Sequence, residues 1–196
     1  MTTSLYGYTK MRGMDILSTK TASRQLLGAL QYLHDKMLIH CDIKPDNIGV
    51  IKVGDVKKFI LLDLGAVAST IQLEGIRQVK DYFGHEVVSR WYRSPEILFR
   101  MSFGPESDIW SFVCTIWEAF LGFPLFYENT EDTMILMMIV VLGHPPESFL
   151  ENATRNVGSL SKIPNLILSE DEIADKLENM LIKSYRISRG VDVKLS

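Results

Sequence analysis

Apolar positions recur at helical spacing through residues 17–36, where Ala22, Leu26, Leu27, Ala29, Leu30 and Leu33 fall on one side and predict a first helix. A polar-punctuated loop follows through Pro45. Two short apolar runs, Ile48 to Ile51 and Phe59 to Leu62, flank Gly54-Asp55 and predict a hairpin. Residues 63–93 mix polar and apolar types without a period and read as a long loop. Pro95 ends the extended backbone, and Glu96 to Phe99 begins a short helix. From Ser107-Asp108, a capping pair, to about Gly122 apolar residues crowd every face, so this helix is expected to be buried. Thr130 or Glu131 opens another helix that closes near Gly143, ahead of Pro145-Pro146. The stretch 147–168 reads as irregular. Ser169-Glu170-Asp171-Glu172 then opens a last helix with Ile173, Leu177, Met180 and Leu181 on one side. The expected fold is mainly α, a helical bundle with one small β-hairpin.

Composition changes that picture little. The chain has 196 residues, 46% hydrophobic and 23% charged, which suits one globular domain with a sizeable core. A formal net charge of −3 argues against a general nucleic-acid binder, and Lys57-Lys58 reads as a solvated turn rather than a phosphate grip. Two cysteines, Cys41 and Cys114, do not make a disulfide framework, so a reducing compartment is expected. The first residues lack the apolar core of a signal peptide, and the longest apolar run, Met134 to Leu142, is too short to span a bilayer. The expected location is intracellular, cytoplasm or nucleus, with no membrane partner. Without a secretion signal, the sequon Asn152-Ala153-Thr154 reads as coincidence.

The chemistry concentrates in Leu38-Ile39-His40-Cys41-Asp42-Ile43-Lys44-Pro45-Asp46-Asn47, between the first helix and the first strand. This stretch resembles the catalytic loop of eukaryotic-type protein kinases. A lone His-x-Asp is more often structural; the Lys-Pro-x-Asn continuation is what makes the match specific. The resemblance implies that Asp42 accepts the proton of a substrate hydroxyl. It implies too that Lys44 neutralises charge on the transferring phosphoryl group and that Asn47 offers its amide oxygen to magnesium. Asp63-Leu64-Gly65, at the end of the second strand, resembles the Asp-Phe-Gly motif, whose Asp holds magnesium on the nucleotide phosphates. Alone, Asp-x-Gly is a common turn; its position after the loop gives it weight. Ser89-Arg90-Trp91-Tyr92-Arg93-Ser94-Pro95-Glu96 resembles the end of an activation segment. Asp108-Ile109-Trp110-Ser111 resembles the start of the central helix, whose Asp braces the catalytic-loop backbone. His40, Glu96 and Asp108 are the structural members of this set, and Trp110 and Trp117 read as core. The implied cofactors are ATP and Mg2+, and the implied partner is a protein substrate or docking protein.

Within the kinases, Arg93 ahead of Ser-Pro-Glu is typical of the CMGC group, which holds the cyclin-dependent and mitogen-activated kinases. His-Cys-Asp and the Ser-Arg-aromatic-Tyr-Arg-Ser-Pro-Glu run look most like the dual-specificity tyrosine-regulated (DYRK) family, as do Gly122-Phe-Pro-Leu-Phe and Leu142-Gly-His-Pro-Pro. Members autophosphorylate an activation-loop tyrosine and phosphorylate serine or threonine in proteins. Glu86 stands at the matching tyrosine position. Either it imitates the phosphate and pairs with Arg90 and Arg93, or it is a plain exposed glutamate.

Several departures matter. No two of the 13 glycines are separated by one residue, so a Gly-x-Gly-x-x-Gly loop is impossible, and no ATP-binding lysine strand is found. Ser4-Leu5-Tyr6 already resembles the helix after the interlobe hinge. The chain is therefore expected to be a partial kinase domain, a C-terminal lobe without its N-lobe, matching well over 1–150 and poorly over 151–196. Gly49 stands where the family places a leucine beneath the adenine, a loss of about 1–2 kcal/mol of apolar contact. Val113 replaces a glycine of the central helix and is expected to crowd its neighbours. Arg186 or Arg189 is the candidate partner for Glu96. Phosphoryl transfer by this chain alone is expected to be weak or absent. The competing readings are a pseudokinase-like protein-binding module, with a partner on the face that an N-lobe would cover, and a degenerate fragment.

Overall fold

The computed structural model describes residues 2–10, 12–70, 89–157 and 169–188. A strand the sequence pattern did not predict opens the chain: β1 (Thr2–Ser4) is too short and polar to show alternation. The Ser4 hydroxyl accepts the Gly7 N–H at 3.1 Å and starts helix α1 (Leu5–Thr9) at once. Asp15 caps α2 (Ile16–His34) by accepting the Ser18 N–H at 2.8 Å. Ser18, Ala22, Leu26 and Leu30, four residues apart, form its buried ridge.

The hairpin forms as expected and is longer, with β3 (Ile48–Val53) and β4 (Val56–Leu61) joined through Gly54-Asp55. Gly54 takes φ +60°, the left-handed conformation such a turn requires. β1 adds to β3, giving an antiparallel sheet in the order β1-β3-β4. A second, two-stranded ribbon pairs β2 (Leu38–Ile39) with β5 (Ala68–Ser69). Both lie in stretches read as loop, because two-residue strands leave no period to detect.

After α3 (Pro95–Leu98), the central helix α4 (Pro105–Leu121) begins two residues earlier than expected. Gly104 precedes it and Pro105 occupies its first turn, so Ser107 and Asp108 do not cap it. Their side chains leave the helix for other partners. Nor is α4 buried on every face: Ile109, Val113 and Phe120 share an exposed stripe among the described residues. Val113, 51% exposed, crowds nothing there. α5 (Glu131–Leu142) starts at Thr130 in a reciprocal capping box with Thr133 and stops at Gly143, as predicted. The start of 147–168 is not irregular but helical, α6 (Glu147–Val157). Its polar residues hide a short amphipathic face, from which Phe149 and Ala153 meet the core. Residues 158–168 lie outside the description. α7 (Glu170–Ser188) opens on a Ser169–Glu172 capping box. Ile173 and Leu177 pack against the core, whereas the side chains of Met180 and Leu181 lie outside the description.

Two apolar clusters meet on α4. One joins Phe112 and Ala119 to Leu5, Leu26, Leu30, Ile48, Val50 and Phe59, beneath the sheet. The other joins Cys114 to Tyr92, Phe99, Phe126 and the buried face of α5. Trp110 stacks on Phe126 at 5.6 Å, a core role as expected.

Candidate active site

The loop between β2 and β3 is held from below by one carboxylate. Asp108, in the first turn of α4, is 1% exposed. Its Oδ2 accepts the His40 N–H at 2.8 Å and its Oδ1 the Cys41 N–H at 2.9 Å. Two successive amides can converge on one group because Cys41 adopts φ +67°. His34, at the end of α2, adds its Nε2 to Oδ2 at 2.9 Å. Sequence reasoning missed His34; a histidine in a last helical turn carries no signal beyond a capping cation.

Beyond this brace the loop alternates. Cys41 and Ile43 point into the core, so Asp42 and Lys44 share the opposite, partly exposed side. Lys44 Nζ lies 2.7 Å from Asp42 Oδ2, and Asn47 Nδ2 donates to Asp42 Oδ2 at 2.7 Å and to its carbonyl at 2.8 Å. Both amide protons of Asn47 are thereby used, which leaves its Oδ1 as the oxygen donor of that side chain. The Ser89 hydroxyl accepts from Lys44 Nζ at 3.0 Å, bringing the start of the segment 89–100 to the same point.

Asp63 is tied to this cluster through its neighbour. The Leu62 N–H donates to the Asn47 carbonyl at 2.8 Å, and the Leu62 carbonyl accepts from His40 Nε2 at 3.0 Å. His40 Nδ1 in turn accepts the Asp42 N–H at 3.3 Å, so one tautomer, with the proton on Nε2, satisfies both contacts. Asp63 itself has φ +59°, an uncommon conformation for a residue with a side chain, and its Oδ1 accepts the Gly65 N–H. Asn47 Oδ1 and the exposed Asp63 carboxylate are hard oxygen donors of the type that magnesium takes alongside phosphate oxygens. No cluster of three His, Cys, Asp or Glu side chains occurs among the described residues, so a cation there needs ligand oxygens as well.

The segment 89–100 is fastened to α4 and α5. Arg93 and Arg100 each donate to Glu131 at 2.7 Å, and Arg90 donates to the Asn129 carbonyl. Burial lowers the Arg93 pKa, with Glu131 opposing that shift. Glu96 accepts from Ser107 Oγ at 2.6 Å. Glu86, Arg189 and the Arg186 side chain lie outside the described residues, so neither expected pairing with them enters this description. Tyr92 OH donates to Glu118 Oε2 at 2.6 Å inside the core, where burial pushes both groups up. Glu118 was legible in principle, as the one charged residue of α4 after Asp108. Burial, then the Asp108 charge, pushes the Cys41 thiol up to about 12.

Two concavities occur elsewhere, of about 360 Å³ between α5 and α7 and about 240 Å³ between α3, α5 and the Gly143–Pro146 turn. Asp42, Lys44, Asn47 and Asp63 line neither. The outer face of the sheet is open and largely apolar, with Val53, Val56, Ile60 and, just past the end of β4, Leu62 exposed around Lys58.

Comparison with known proteins bears on this arrangement. The protein kinase domain family matches residues 4–187. The dual specificity protein kinase YAK1 homolog of Arabidopsis thaliana is 32% identical over 156 residues, 78% of this chain and 15% of that protein. The YAK1 kinase of Saccharomyces cerevisiae is 33% identical over 153 residues, 78% of this chain and 18% of its own length. Dual specificity tyrosine-phosphorylation-regulated kinase 3 of Mus musculus is 32% identical over 146 residues, 74% of this chain and 23% of that kinase. The chain thus spans less than a quarter of the length of these relatives. Among the described residues no helix is long and apolar enough to cross a membrane.

Proposed function

Because the chain belongs to the protein kinase domain family and is DYRK-like within it, we propose that it carries the acceptor-side and phosphate-handling residues of an ATP-dependent kinase acting on serine or threonine hydroxyls of proteins. The observation that carries this reading is the convergence of Lys44 and Asn47 on the Asp42 carboxylate, with Asp63 tied beside them through Leu62. Asp42 is the base that takes the proton from the acceptor hydroxyl as its oxygen bonds to the γ-phosphorus and the bond from that phosphorus to the β,γ-bridging oxygen breaks, with ADP as the leaving group. Lys44, already within reach of Asp42 and Ser89, balances negative charge on the transferring group. Asn47 Oδ1 and Asp63 would hold magnesium, which would supply charge neutralisation on the nucleotide phosphates. Ser89, Arg90 and Arg93 shape the surface that receives the protein substrate. His40, Glu96 and Asp108 position the rest.

Positioning on the nucleotide side is thin, since Gly-x-Gly-x-x-Gly has no counterpart in the sequence and the sheet face above the cluster is open. Transfer by this chain alone is therefore negligible. Mg-ATP at 5 mM, binding with a dissociation constant on the order of 1 mM, stabilises by about 1 kcal/mol and raises the melting temperature by about 2–4 °C. Asp63→Asn removes that rise, and labelled phosphate transferred from ATP to a mixed serine peptide substrate stays at the Asp42→Asn background. Robust transfer above that background contradicts the claim of inactivity. The lack of any thermal shift contradicts the nucleotide reading itself. A second reading, a non-catalytic binding module, is favoured by the exposed apolar sheet face, which a partner protein would cover; it takes precedence if Mg-ATP has no effect.

A further inference from the structure

A glycine in the middle strand of a sheet weakens it, and where its backbone is ordinary the missing side chain marks space that something else uses. Gly49 is such a residue. It is buried on β3, between Ser4 of β1 and Ile60 of β4, and it is not among the glycines with positive φ. What uses the space is Leu62. A Cβ placed on Gly49 would lie 3.1 Å from Leu62 Cδ1, 3.5 Å from its Cγ and 3.6 Å from its Cδ2. The isobutyl group therefore lies flat across the glycine, where a leucine at 49 would otherwise stand. The Leu62 backbone is not free to retreat, being bonded on both sides to Asn47 and His40.

The other side of Leu62 looks outward. Leu62 is 42% exposed, with Ile60 exposed beside it on the same sheet face. This apolar surface adjoins Asp63 in the chain and Asn47 through a hydrogen bond, the two candidate magnesium ligands. A ligand that fits must carry a polyanionic end for Lys44, Asn47 and Asp63 and a flat, weakly polar end for the leucine. A nucleoside triphosphate has that form. Resting on the nucleotide reading above, we propose that Leu62 laid over Gly49 is the floor for the base of the bound nucleotide. The floor side chain comes from residue 62, next to the magnesium ligand, rather than from residue 49.

The test uses the full 196-residue chain with Mg2+ and two competitors of a fluorescent N-methylanthraniloyl ATP: ATP, and inorganic tripolyphosphate, which has no base. Leu62→Ala is expected to weaken ATP about tenfold while leaving tripolyphosphate unchanged. Retained tripolyphosphate binding also certifies that the variant folds. Gly49→Leu alone crowds Leu62 and weakens ATP as well. The exchange Gly49→Leu with Leu62→Ala returns ATP affinity to within about threefold of the wild type, because one floor replaces the other. Unchanged ATP binding by Leu62→Ala overturns the proposal, as does an equal loss for both competitors, which would mean that Leu62 acts only through the placement of Asp63. Failure of the wild type to bind either competitor instead overturns the nucleotide reading, and the inference falls with it.

Discussion

A single buried carboxylate, Asp108, determines the shape of the catalytic loop, since it answers two consecutive backbone N–H groups and a histidine. Truncation strands two buried donors, each costing about 1–3 kcal/mol. Asp108→Ala is therefore expected to lose roughly 2–5 kcal/mol in urea unfolding, whereas His34→Ala, which leaves the amides served, loses about 1 kcal/mol. Equal losses would mean that the histidine, not the backbone, is the main partner. Asp108 could be read from its motif. His34 could not, because its partner is 74 residues away and its own neighbourhood says nothing of it. The Cys41 and Cys114 thiols, both pushed up to about 12 by burial, are expected to be unreactive toward a disulfide reagent at pH 8 until the chain unfolds. Rapid labelling of Cys41 in the folded protein would contradict the buried, left-handed geometry assigned to it.

At the scale of elements, the segment 89–100 is held by a buried tyrosine–glutamate pair as well as by its arginines. Tyr92 meets Glu118 on α4, and Ser111 of the same helix donates to the Tyr92 carbonyl at 2.7 Å. Burial raises the Glu118 pKa, against the lowering effect of the Tyr92 hydrogen bond. Between its unfolded value and this higher folded value, the folded chain keeps a proton that the unfolded chain has lost. The contribution of Glu118 to stability therefore falls as pH rises through that window toward neutrality. Glu118→Gln still accepts from Tyr92 and has no such dependence. Relative to wild type, it is expected to gain stability from pH 5 to pH 7.5 in urea unfolding; a flat difference would show that Glu118 is not strained by burial. The helix α2 was legible because packing and period agree, and α5, apolar almost throughout, because its capping start and its Gly143 stop are written in the sequence. The early start of α4 and the helix α6 were not, since Gly104-Pro105 and a run of polar residues hide their beginnings. β1, β2 and β5 exist only through partners remote in sequence.

For the whole molecule, the two core clusters on α4 support a loop whose polar residues gather beside an open apolar sheet face. Motif spacing accounts for the shared side of Asp42 and Lys44, which need only an extended loop between them. It did not foretell Leu62 over Gly49, since that contact depends on how the strand end turns back across the sheet. Mn2+, which accepts the same oxygen donors as magnesium, reports directly on where a metal-nucleotide sits. In 15N spectra of the labelled chain, Mn-ATP is predicted by this account to broaden the Asn47 side-chain amide and the Asp63 and Gly65 backbone amides first. Broadening confined to the acidic starts of α6 and α7, or none at millimolar Mn-ATP, would contradict it.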